Sequence, residues 1–203
     1  APLLAGLADL YYLRDLRDEA EALYRRSLSV RERSAAPDDP RVALTLNGLA
    51  VLLSVQGRYD EAEPLYERAL SIQQSVLGED HPDVATTLGN LAVMYDSQGR
   101  YAQAEPLHRR ALAIRELTLG PDHAYVGTSL ENLAEAYRAQ GRIAEALALY
   151  ERALVIEEQT VGSGSPELVA SLENLATLYR ESDRSEEADA FEERARALRL
   201  AER

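Results

Sequence analysis

With 203 residues, 46% hydrophobic and 28% charged, the chain has material for one or two globular domains, or for an elongated array without a single central core. Zero Cys excludes disulfide staples, thiolate metal ligands and thiol nucleophiles, and a formal charge of −13 disfavours nucleic acid and anionic membranes as partners, because phosphate binding relies on Lys and Arg. No apolar run approaches the roughly 20 residues that span a bilayer, so the chain reads as soluble, with the cytoplasm as its expected location. It opens on Ala1 rather than Met, which leaves room for an upstream segment in the natural protein.

Helical spacing starts at once. Two helices are expected over residues 2–14 and 18–34, with Asp15 in the turn between them. A third is expected over 40–56, opened by Asp38-Asp39-Pro40: a capping carboxylate precedes a proline, which is tolerated in the first helical turn where its missing N–H is harmless. It ends at Gly57, and a fourth helix follows over 59–77. The fifth, 82–98, starts at Asp80-His81-Pro82, where the same carboxylate-capped opening is expected. Its Leu88, Leu91, Ala92 and Tyr95 follow the i, i+3, i+4, i+7 pattern of one buried face. The sixth, 101–119, closes at Leu119-Gly120 with glycine as a left-handed cap. Helices over 124–140 and 143–161 come next, then 166–182, opened by Ser165-Pro166, and 185–201. Pro64 and Pro106 fall inside the fourth and sixth helices, where each removes one backbone hydrogen bond and should bend the helix slightly.

A shift of 42 residues brings Leu7-Ala8, Leu49-Ala50, Leu91-Ala92, Leu133-Ala134 and Leu175-Ala176 into register. The same shift aligns Gly57-Arg58, Gly99-Arg100 and Gly141-Arg142, with Asp15 and Asp183 at the outer turns. Such a period marks stacked supersecondary units. The repeats run approximately 1–38, 39–80, 81–122, 123–164 and 165–203, and the whole of 1–203 is expected to be one array.

Small residues recur at Ala50/92/134/176, Ala62/104/146/188 and Ala69/111/153/195, each allowing two helices to approach closely. Together with Leu at the seventh position and Tyr95, Tyr137 and Tyr179 at the eleventh, this pattern resembles the tetratricopeptide consensus over nearly the whole chain. The 42-residue length, the phrase Leu-Gly-Glu-Asp-His-Pro-Asp-Val-Ala (77–85), and Asn90-Leu91-Ala92-Val93-Met94-Tyr95 leading to Ala104-Glu105-Pro106-Leu107 look like the long-helix subtype of kinesin light chains and many prokaryotic tetratricopeptide proteins. The resemblance implies an all-α fold, a right-handed superhelical solenoid of five helix-turn-helix repeats.

It also implies a concave wall built from the first helix of each repeat. On that wall the sixth position reads Gly6, Gly48, Asn90, Asn132 and Asn174. An Asn amide is both donor and acceptor, so it can pair with the backbone of an extended peptide without demanding a particular side chain. Asn47 joins these as a groove candidate, with Val51 and Val93 as an apolar anchor and Glu135, Arg138 and Arg180 as the charged contacts. The alternative for the asparagines is that they bond to one another or to water, or belong to the repeat consensus for packing. Matching positions along the groove hold six acids against two arginines, so an apolar anchor followed by polar or basic residues toward the fourth repeat is the expected ligand.

The ends differ. Ser185, Glu192 and Asp183 replace the turn Tyr, the second-helix aromatic and the turn Gly, so residues 183–203 are expected to act as a polar capping helix. The amino end carries Arg17 in place of the turn Tyr but no capping segment.

No Gly-rich phosphate loop, zinc-type His-Glu-x-x-His or serine-nucleophile elbow occurs. His81 and His123 belong to the helix-start phrase, and His108 is expected to be a packed imidazole. No enzyme activity, metal or cofactor is expected. The expected function is a protein- or peptide-binding scaffold, monomeric or weakly self-associating, and the alternative is a structural module whose copies stack end to end.

Overall fold

The computed structural model describes residues 2–34 and 38–201. Among these residues there are ten α-helices and no strand: α1 (Pro2–Leu13), α2 (Arg17–Ser34), α3 (Pro40–Val55), α4 (Tyr59–Leu77), α5 (Pro82–Ser97), α6 (Tyr101–Leu119), α7 (Ala124–Ala139), α8 (Ile143–Val161), α9 (Val169–Glu181) and α10 (Ser185–Ala201). The ends fall within a residue of those expected from the sequence, except that the ninth helix opens with a 3₁₀ turn, Pro166–Leu168, before its α-helical part.

The helix starts correct one expectation. Asp39 caps α3 as anticipated, its carboxylate accepting from Arg41 N at 2.8 Å. At α5 and α7 the capping group is instead an imidazole: His81 Nδ1 accepts from Asp83 N at 3.1 Å and His123 Nδ1 from Tyr125 N at 3.2 Å. Asp80 stands one residue too early, because the capping side chain must belong to the extended residue next to the first turn. The interaction requires the unprotonated nitrogen of the ring.

Each turn inside a hairpin needs one left-handed residue. Gly57 and Gly141 take φ 76° and 73°. The following N–H groups reach back across the turn, Arg58 N to Leu53 O at 2.9 Å and Arg142 N to Tyr137 O at 2.9 Å, which satisfies carbonyls the helix end would orphan. Asp15 and Asp183 adopt the same conformation, φ 59° and 60°, with matching bonds from Leu16 N to Tyr11 O and Arg184 N to Tyr179 O. A short polar side chain is among the few that tolerate this region.

The chain divides into two compact units, residues 1–98 and 99–203, and the division falls inside the third repeat. In the first unit, Val42, Ala43 and Leu46 of α3 pack on Ala69 and Ile72 of α4, with Leu28 of α2 against them. Ala50, Ala62 and Ala92 have no exposed surface, so the small-residue columns are where backbones meet. On α1, by contrast, Leu3, Leu10 and Leu13 are 88%, 57% and 77% exposed.

In the second unit the largest core joins Leu133 and Tyr137 of α7, Leu147, Tyr150 and Leu154 of α8, Leu172, Leu175 and Leu178 of α9, and Ala188, Ala195 and Leu198 of α10. Burying a leucine side chain contributes roughly 1.5–3 kcal/mol. Tyr179 stacks on Phe191 with ring centroids 5.4 Å apart, tying α10 to α9.

Within each unit an arginine that follows a turn glycine, Arg58 or Arg142, links successive repeats. Arg58 Nη1 contacts Glu21 at 2.6 Å and its Nε contacts Glu61 at 2.7 Å. Arg142 repeats the arrangement with Glu105 at 2.6 Å and Glu145 at 2.5 Å, its guanidinium 3.9 Å from the centre of the Tyr137 ring. Tyr95 and Tyr137 add hydroxyl bonds to the preceding repeat, to Glu63 at 2.7 Å and Glu105 at 3.2 Å. In the second unit Arg142 and the eleventh-position Tyr137 thus meet on one acid, Glu105.

Candidate peptide-binding site

The first unit brings three sequence candidates together. Val51 of α3 and Asn90 and Val93 of α5 line one notch of about 140 Å³, with Ser54, Met94 and Ser97 beside them and Tyr66 of α4 also in its lining. Val93 is 44% exposed, so an apolar side chain stands in water where a partner could cover it. Burial pushes the Tyr66 phenol up to about 12, and the group stays protonated at neutral pH. Asn90 Nδ2 donates to Asn47 Oδ1 at 3.2 Å. Half of the amide-to-amide alternative is therefore present here, and Asn90 keeps its carbonyl and a second N–H for a ligand.

In the second unit, Asn132 is partly exposed on α7 and Asn174 is exposed on α9, and neither makes a hydrogen bond among the described residues. The charged candidates are already engaged. Arg138 contacts Glu181 at 2.6 Å and Glu135 at 3.6 Å, while Glu135 also accepts from the Tyr150 hydroxyl at 2.5 Å. Arg180 is held by Asp189 at 2.7 Å and Glu192 at 2.9 Å. The hydrogen bond with Glu181 raises the Arg138 pKa, and the same bond lowers that of Glu181. An acidic ligand would have to break these pairs before using either arginine.

His108 is 2% exposed, as a packed imidazole should be. Among the described residues no group of three or more His, Cys, Asp or Glu side chains is placed to hold a metal ion, and no helix is long and apolar enough to cross a membrane. Sequence reasoning passed over Glu157, although the 42-residue column Arg31, Gln73, Arg115, Glu157, Arg199 shows it as the one acid among cationic or neutral residues.

Paired antiparallel helices repeating every 42 residues, joined by left-handed turns and seamed by small residues, define the helical-hairpin repeat class. The tetratricopeptide repeat model matches at residues 1–57, 42–117, 97–154 and 125–201, and the chain belongs to the tetratricopeptide repeat family. It is similar in structure to a Podosopora anserina protein assigned as kinesin light chain, with nearly identical TPR-like repeats, at 27% identity and TM-score 0.85, covering 100% of this chain and 96% of that one. It is also similar to BtubC (BKLC) from P. vanneervenii, at 30% identity and TM-score 0.85, covering 98% of this chain and 79% of that one. MamA from Desulfovibrio magneticus RS-1 shares the fold, at 14% identity and TM-score 0.70, over 98% of this chain and 95% of that one. A comparison with curated proteins finds no match. Repeats of this family serve in general in protein–protein interaction and assembly.

Proposed function

We propose that the chain is a scaffold without catalytic activity that holds an extended segment of a protein partner on the first-helix faces of its repeats. The observation that carries this reading is the notch in the first unit, where Val51, Val93 and Asn90 place apolar surface beside a polar amide. An extended segment pairs its main chain with such amides and its side chains with such notches. Asn132 and Asn174 extend the same chemistry in the second unit. The engaged state of Arg138 and Arg180 supports a partner that is apolar and polar or basic rather than acidic. The formal charge of −13 argues against nucleic acid or an anionic membrane, and the proposed location is the cytoplasm. Affinity is on the order of micromolar, because the segment must be ordered on binding.

The test is a peptide array probed with the protein at two salt concentrations, followed by titration of the best peptides. Asn132→Ala should weaken binding by about 1–3 kcal/mol if partner groups are left unpaired, with little effect on the unfolding midpoint. Equal losses in binding and stability would return the asparagines to a packing role. Enrichment of acidic peptides, lost on Arg138→Ala, would overturn the selectivity.

A second reading, copies of the chain stacking through an exposed edge, is favoured by the exposed Leu3, Leu10 and Leu13 of α1. Light scattering separates the two: the scaffold keeps one mass on dilution, whereas stacking copies grow with concentration.

A further inference from the structure

Helices α7 and α8 enclose a second notch, of about 220 Å³. Its walls are Gly127 of α7 and Ala153, Ile156 and Val161 of α8, and its polar lining includes Glu131 and Glu157. Gly127, Ala153 and Ile156 are buried, so the floor is apolar. A notch of this size holds more than a single water and suits one long side chain.

The fifth repeat shows what chemistry this position accepts. Glu173 of α9 lies 42 residues after Glu131, and Arg199 of α10 lies 42 residues after Glu157. There the two form a two-pronged ion pair, Arg199 Nη1 to Glu173 Oε1 at 2.8 Å and Nη2 to Oε2 at 2.9 Å. In the fourth repeat the arginine is replaced by Glu157. The acid on α7 keeps its place, its cation is gone, and a second carboxylate stands where the guanidinium would be.

Among the described residues of the second unit nothing compensates for the change. Glu131 makes no hydrogen bond or ion pair among the described residues, and Glu157 receives only the Ser171 hydroxyl, at 2.5 Å. Neighbouring acids are served: Glu135 and Glu181 by Arg138, Glu158 by Arg194, Glu116 by Arg152. Burial, with Glu157 close by, raises the Glu131 carboxyl above its ordinary range, as expected of an acid held away from water without a counterion.

We propose that the α7–α8 notch binds one cationic side chain, arginine or lysine, of a partner segment, with the alkyl stem on Ile156 and Ala153 and the charged head between Glu131 and Glu157. This rests on the scaffold reading above and names the residue type that its second unit selects. Arginine is the better fit, because its planar guanidinium bridges two carboxylates while its stem covers apolar surface.

The experiment is an amide chemical-shift titration of the full chain with blocked alanine heptapeptides bearing a central arginine, lysine or citrulline. The arginine peptide should shift the amides of Gly127, Thr128, Glu131 and Glu157, and the neutral citrulline peptide should bind about tenfold more weakly or not at all. Glu157→Arg, which restores the fifth-repeat pair, should abolish the arginine response and raise the melting temperature. Equal responses to arginine and citrulline, shifts spread over the acidic surface, or an arginine response that survives Glu157→Arg would overturn the proposal. So would calcium chloride displacing the peptide at equal concentration, which would mark a cation site instead. The wider scaffold reading is tested separately by array peptides that shift Val51, Asn90 and Val93. Those shifts can persist when the notch proposal fails, and their absence leaves the arginine result standing on its own.

Discussion

Leu91 is 4% exposed in the middle of α5, and Ala92 beside it has no exposed surface. Truncation there leaves a void that the flanking helices cannot fill, since their approach is set by the alanine columns. Leu91→Ala should therefore destabilise the protein by about 2–5 kcal/mol, read as a shift in urea midpoint at unchanged slope. A silent substitution would show that the helix register is wrong. The capping imidazoles make a second residue-scale prediction. His123→Ala removes the acceptor for Tyr125 N and should cost about 1 kcal/mol. His123→Asp keeps an acceptor and adds a negative charge at the helix start, so it should restore or exceed the original midpoint. Equal losses for both variants would mean that the ring contributes through packing.

Helix α10 is packed into the core of the second unit. Its Ala188, Ala195 and Leu198 cover the face of α9 that carries Leu175, Leu178 and Tyr179, and Phe191 stacks on Tyr179. Its outer face presents Glu186 and Glu193, both exposed, and Arg196 and Arg199 stand exposed along its edge with α9. An element apolar on one side and charged on the other ends a stack of repeats without offering a new sticky face. Removing residues 183–203 should lower solubility and raise light scattering. Unchanged scattering after removal would dismiss the capping role. The 3₁₀ opening of the ninth helix also belongs to this scale: Ser165-Pro166 marks a helix start, and the tighter first turn is a detail of how that start meets its surroundings.

Over the whole molecule the ion pairs set the response to acid. Burial pushes the Glu105 carboxyl up, but the bonds from Arg142 and Tyr137 outweigh it and the net shift is down. Arg138 lowers Glu181, and the Arg41 side chain and backbone N–H bring Asp39 to about 2. A carboxylate whose pKa is lower in the folded state stabilises the fold above its unfolded pKa and loses that contribution as pH falls through the folded value. Glu131, shifted upward, acts in the opposite sense and is relieved first as pH falls. The melting temperature should hold or rise slightly from neutral pH to about 5 and drop below about 4. A steady rise on acidification past that point would show that repulsion within the −13 net charge outweighs the pairs.

The sequence by itself determined the period, the helix ends and the small-residue seams. Each of these depends on local chemistry repeated every 42 residues: i, i+3, i+4 apolar spacing, a left-handed turn residue, an alanine wherever two helices touch. Val51, Val93 and Asn90 were legible as candidates because their columns stand out by residue type. The tertiary structure alone decided which polar groups are free. That Arg138 and Arg180 are engaged depends on Glu181, Asp189 and Glu192 reaching them across a helix pair or a turn, and that Asn90 leans on Asn47 depends on α3 lying beside α5. That Glu131 has no cation among the described residues depends on the same kind of placement. Its counterpart Glu173 meets Arg199 across a hairpin; the 42-residue column already puts Glu157 in the arginine's place, but only the folded hairpin shows that this position shares a notch with Glu131.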